Sequence, residues 1–202
     1  EDAQPVLDSG APGPKHWLQQ YQEYAMSQIS KEASGPRKAR ADFGSASPHF
    51  TIISWAGGEE NRLIFANGAY LGDGMPKISL NGKVAFCAEW NGVAPEGDYI
   101  QSGSGNDPAI KQILANYDNS GKSNADYCAA QAAIWAHLMG TSVVSWGACP
   151  GAASEDEIFN GTADYDNIKY NYITWSGGTQ KILTYDNDDE PFVPPDDDGG
   201  KY

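Results

Sequence analysis

The chain has 202 residues, 40% of them apolar and 11% aromatic, which is enough apolar mass for a core and excludes wholesale disorder. Its 13 basic against 27 acidic residues leave a formal charge of −14, a field that repels phosphate backbones and anionic lipid headgroups and argues against nucleic-acid partners. No apolar run approaches the ~20 residues that span a bilayer, so membrane insertion is not expected.

The chain opens Glu1-Asp2-Ala3 with neither an initiator Met nor an apolar leader, and reads as a processed or trimmed fragment. Residues 1–14, punctuated by Pro5, Gly10, Pro12, Gly13 and Pro14, read as an extended lead-in. A helix is expected over 15–29, where Trp17, Tyr21, Tyr24 and Gln28 recur at helical spacing, and Ser34-Gly35-Pro36 stops it. The basic cluster Arg37-Lys38-Arg40 reads as a solvated loop. Residues 50–55 are β-branched and aromatic and predict a strand. Two hairpins follow, each turning on Asn-Gly: 62–66 with 69–71 about Asn67-Gly68, and 77–80 with 83–90 about Asn81-Gly82. Cys87 lies on the return strand of the second, on the same face as Ala85 and Glu89.

Two helices come next. Asp107 caps the first, Pro108 fits its first position, and Ile110, Ile113, Leu114 and Tyr117 form a stripe. The second is expected over 125–139 and ends at Gly140. Beyond lie a strand at 141–146, a capping-box match at Ser154 to Glu157, and a hairpin of 168–175 with 180–185. Residues 186–202, with seven acids, three prolines and two glycines, read as an acidic linker. Their run Asp186-Asn187-Asp188-Asp189-Glu190 lacks the sixth-position Gly and distal Glu of an EF-hand, so no metal is expected there. The expected fold class is α+β: an antiparallel β-sandwich-like domain over 15–185 with a helical region inserted at about 105–140.

The second helix carries a misplaced polar residue. Tyr127, Gln131, Ile134 and Leu138 share one face, so Gln131 stands inside an apolar stripe flanked by Ala129, Ala130, Ala132 and Ala133. A buried carboxamide must satisfy its hydrogen bonds, each unmet group costing roughly 1–3 kcal/mol. Either it bonds a nearby backbone, or the carboxamide is itself a reagent. The cysteine count bears on the choice. Cys87, Cys128 and Cys149 are an odd set, and in a secreted protein one thiol is then free, paired between chains or committed elsewhere.

Phe86-Cys87-Ala88-Glu89-Trp90, followed by Ala130-Gln131-Ala132-Ala133-Ile134-Trp135, resembles the thioester domain of Gram-positive surface adhesins, in which an aromatic-Cys strand precedes a Gln-x-Ala-Ile-Trp-like helix. Residues 107–119, with Ile113-Leu114 ahead of Tyr117, resemble that family's preceding helix, and the likeness covers roughly 50–185. Ala130 stands where members often carry Thr, and Cys128 lies outside the motif.

The resemblance implies an internal thioester between the Cys87 thiol and the Gln131 acyl group. Such a domain captures an amine, a Lys side chain above all, by acyl transfer to an isopeptide bond, and works once rather than as an enzyme. The implied partner is a host surface or matrix protein. The implied setting is extracellular: a monomer within a longer multi-domain protein, anchored to the cell wall by regions outside this chain. No cofactor is implied. Cys128 and Cys149 then become a candidate disulfide, closing a loop of about twenty residues worth on the order of 3 kcal/mol in the chain-entropy model. Glu89, two residues from Cys87 on one strand face, is a candidate general base.

Two other readings stand beside this one. One is a secreted cysteine hydrolase or transferase with Cys87 as nucleophile and His16, His49 or His137 as base, although His137 is about 240° round the helix from Gln131. The other is a non-covalent carbohydrate- or protein-binding module using Tyr170, Tyr172 and Trp175. No G-x-x-x-x-G-K-[ST], H-E-x-x-H or G-x-S-x-G motif is present.

Overall fold

The computed structural model describes residues 48–80, 82–90, 96–177 and 180–188. The expected lead-in and first helix, His16, the basic cluster at 37–40, Asn81 of the second turn and the tail beyond 188 lie outside the described residues.

In chain order the strands are β1 (Pro48–Ser54), β2 (Leu63–Phe65), β3 (Tyr70–Leu71), β4 (Gly74–Leu80), β5 (Lys83–Cys87) and β6 (Glu96–Gly105). Helices α1 (Pro108–Asp118) and α2 (Asn124–Met139) lead to β7 (Val143–Ser145), a 3-10 turn at Pro150–Ser154 and a short α3 (Glu155–Phe159). The hairpin β8 (Ile168–Gly177) and β9 (Ile182–Asn187) closes the described chain. Six strands form one antiparallel sheet in the order β1-β4-β5-β9-β8-β6, and β3-β2-β7 form a second. The fold is α+β.

Local chemistry sets the ends of the helices. The Asp107 carboxylate accepts from the Ala109 N–H at 2.9 Å, and Pro108 occupies the first helical position without wasting a donor. At α2, Ser123 Oγ accepts from Asp126 N–H while the Asp126 carboxylate accepts from Ser123 N–H, a reciprocal cap absent from the sequence expectation. Gly140 then ends α2 in the left-handed region at φ 64°, as its position suggested.

Several expectations are corrected. Ten residues of β6 stand where no strand was expected, because Gly97, Gly103 and Gly105 erase the β pattern. Pairing to β8 supplies what local propensity does not. The helical pair therefore follows β6 rather than the Cys87 strand directly. Strand β5 stops at Cys87, short of the expected Trp90. Ser154 does not cap α3: its hydroxyl donates to the Asp126 carboxylate at 2.6 Å instead. Strand β9 takes in Asp186 and Asn187, assigned above to the linker.

The largest correction concerns α2. Every residue from Asp126 to Ala136 is buried, so this is a helix enclosed on all sides rather than an amphipathic one. Leu138, placed on the inner stripe by sequence, is 42% exposed. The alanines let neighbouring elements come close on every side, and α2 packs against β5, α1, β7, α3 and the 3-10 turn. Gln131 and Cys128 both lie inside this core.

Candidate functional site

Strand β5 is paired on both edges near its start but not near its end. Along one edge, Phe86 and Cys87 align with Leu183 and Ile182 of β9. Along the other, the ladder to β4 runs from Leu80↔Lys83 through Ser79↔Val84 to Ile78↔Ala85 and goes no further. Backbone groups alternate edges along a strand, so the N–H and C=O of Cys87 face the same edge as those of Ala85. That edge is the one β4 leaves.

Helix α2 fills the place. Gln131 Oε1 accepts from the Cys87 N–H at 2.7 Å, and Gln131 Nε2 donates to the Cys87 C=O at 2.9 Å. The carboxamide bonds Cys87 much as a neighbouring strand would. Both residues have no exposed surface. The two sequence motifs thus meet in the fold, and they do so by the first of the two expectations for the buried carboxamide, a bond to nearby backbone.

The surroundings are apolar and aromatic. Phe86 stacks on Tyr127 with centroids 4.9 Å apart and meets Tyr117 edge-on at 5.3 Å. Trp90 meets Trp135 edge-on at 4.9 Å and Phe65 at 5.2 Å. Such walls exclude water, and burial alone pushes the Cys87 thiol well above its ordinary range. The Cys87 thiol is therefore kept in its neutral form, next to a carboxamide that an N–H donor already engages.

Other sequence candidates sit elsewhere. The Glu89 carboxylate pairs with the Lys181 ammonium at 3.3 Å, both of them partly exposed, while the Cys87 thiol is enclosed. His137 pairs with Asp107 at 2.7 Å, joining the last turn of α2 to the cap of α1. That contact holds the Asp107 carboxyl below its usual range. His49 is exposed on β1 opposite Ser79. Among the described residues, neither histidine acts on the Cys87 thiol, so no Cys-His arrangement is assembled. Tyr170 is buried, with its hydroxyl accepting from Asp107 N–H at 2.8 Å, and Trp175 is buried as well. Tyr172 packs against the core, so the aromatics of β8 do not make an open binding platform.

Cys128 meets Cys149, which leads into the 3-10 turn, and both are free thiols, so the candidate disulfide is not formed in this structure. The hydrogen bond to Cys149, and then burial, push the Cys128 thiol far above its usual range. The feature that sequence reading missed is the Tyr127 hydroxyl, which accepts from the Ile78 N–H at 3.1 Å and donates to the Ala85 C=O at 2.7 Å. Its only signal was the four-residue spacing to Gln131.

No family model matches the chain, and no curated protein matches it. Among solved structures, the chain is similar to the thioester domain of the Staphylococcus aureus TIE protein, at 19% identity and a TM-score of 0.40, over 70% of this chain and 78% of that one.

Proposed function

We propose that Cys87 and Gln131 form an internal thioester that captures a primary amine covalently, as the binding device of a bacterial surface adhesin. The observation that carries this reading is the two-point hydrogen bonding of a fully buried glutamine side chain to the backbone of a fully buried cysteine. The two sequence motifs that resemble thioester domains converge at that point.

The geometry suits each step. Cys87 Sγ attacks the Gln131 side-chain carbonyl carbon, and negative charge develops on Oε1, which already accepts from the Cys87 N–H. Collapse breaks the C–N bond. Nε2 leaves as ammonia, carrying the proton that the thiol loses. A primary amide is a poor acyl donor, so rigid placement on a strand and a buried helix supplies much of what the chemistry lacks. The aromatic walls then guard the thioester from water.

Capture runs the same path with another amine. Its nitrogen attacks the acyl carbon, the C–S bond breaks, and the amine proton returns to Cys87. The product is an isopeptide bond at Gln131. Each molecule reacts once, which makes the domain a covalent binder rather than an enzyme. The target we infer is a host surface or matrix protein presenting a lysine, met outside the cell by a chain tethered to the cell wall.

Intact mass tests the reading. The native chain should be lighter than its sequence by one ammonia, methylamine should abolish the deficit by adding to the chain, and Cys87→Ala should show no deficit. A native mass equal to that of the sequence, corrected only for a disulfide, overturns it.

A further inference from the structure

We propose that Tyr127 is a positioning residue for the acyl transfer: its hydroxyl, engaged by both members of the last β4–β5 pair, sets the register that places Gln131 on Cys87. The inference rests on the thioester reading and adds a part to its machinery.

The hydroxyl of Tyr127 bonds Ile78 N–H and Ala85 C=O, and these two residues are register partners. It therefore stands at the point where β4 and β5 cease to pair. Two residues further along the same edge of β5, the Gln131 carboxamide bonds Cys87. The spacings match. Four helical residues advance about 6 Å and two strand residues about 6.6 Å, so a helix lying along a strand edge repeats its contact at that interval. Tyr127 and Gln131 are thus two successive rungs by which α2 replaces β4 along β5.

The first rung makes the second specific. A glutamine has three rotatable bonds before its amide, and a shift of about 1 Å at the reacting atoms can cost on the order of a hundredfold in rate. Tyr127 is fully buried and stacked on Phe86, the residue next to Cys87. Burial pushes its hydroxyl well above the ordinary value, so it remains a donor to Ala85 across the working pH range. Lys77 and Asn124, joined at 3.2 Å, hold the start of α2 to β4 from outside but reach neither Cys87 nor Gln131.

The test follows closure rather than yield. Ammonia opens the thioester by the reverse of its formation and restores the Gln131 amide. After the ammonia is removed, the mass deficit should return, and its rate measures placement in the folded protein. In Tyr127→Phe the ring still stacks on Phe86, yet closure should slow on the order of tenfold. Tyr170→Phe removes the hydroxyl contact of another buried tyrosine, the part-buried one with Asp107, and should close at the wild-type rate.

Equal rates for wild type and Tyr127→Phe overturn the inference, as does equal slowing in Tyr170→Phe. A wild type that never shows a deficit overturns the thioester reading instead. If Tyr127→Phe does not fold, amide hydrogen exchange of the wild type decides. The Ile78 and Cys87 N–H groups should open together as one unit, and independent opening overturns the inference.

Discussion

Cys87 and Cys128 are both buried thiols at contacts of α2, and they meet different partners. Cys87 faces an acyl group whose oxygen and nitrogen are both tied to its own backbone. Cys128 faces a second thiol on the turn that begins at Cys149. Burial raises the protonation range of each, so burial does not distinguish them. The neighbour does. On the proposed reading one junction serves acyl transfer and the other oxidation, and a single helix supplies both because it is enclosed on every side.

The sharpest way to break this contrast is to remove the acyl partner. Gln131→Ala should abolish the mass deficit completely. It should also lower stability, because the Cys87 N–H loses its acceptor in a dry site, at about 1–3 kcal/mol. Denaturant titration measures the loss, and a variant as stable as wild type contradicts the strand-replacing role of the carboxamide.

The second junction responds to redox conditions instead. Under oxidising conditions Cys128 and Cys149 should form a disulfide worth on the order of 3 kcal/mol. Reductant should then lower the melting temperature while the ammonia deficit stays intact. Non-reducing peptide mapping that finds both thiols free rules this out. Gly151→Ala sharpens the point: a Cβ there would stand 2.5 Å from the Trp146 ring and 3.0 Å from the Ala129 backbone N. It should push the turn off α2, cost about 1–3 kcal/mol and slow disulfide formation, leaving the Cys87–Gln131 side closed.

The smallest effect is on acid stability. Burial raises Asp118 and Asp126, but hydrogen bonds outweigh it and hold both carboxyls below their ordinary range: from Asn187, Tyr185 and Lys122 to Asp118, and from Ser154 and Ser123 to Asp126. A depressed folded-state value stabilises fully above the unfolded value near pH ~3.9 and is lost as pH falls through the folded value. Melting temperature should therefore drop on acidification below about pH 4. Asp126→Asn with Asp118→Asn should flatten that dependence, and an unchanged slope refutes the assignment.

Much of the local structure was legible in the chain. Asn67-Gly68 and Asn81-Gly82 marked two hairpins, and Asp107-Pro108 and Gly140 marked helix ends, because each depends on the conformational limits of one or two residues. The first hairpin nevertheless turns over three residues, 66–68, with Gly68 and not Asn67 at positive φ. Strand β6 was illegible for the opposite reason: its glycines carry no pattern, and only the exposed edge of β8 makes it a strand. The enclosure of α2 was equally hidden. Alanine suits a helix surface and a close-packed interior alike, so composition there predicts no environment.

By itself the sequence determined which atoms are available for chemistry: an unpaired count of thiols, and a glutamine among apolar residues at helical spacing. It did not determine that the β4–β5 ladder ends at Ala85, nor that Tyr127 and Gln131 take up the edge beyond it. Those depend on packing between segments more than forty residues apart, where helix rise and strand rise must match in space. Side-chain identity is a local property, whereas register between a helix and a strand is decided only when both are buried against each other.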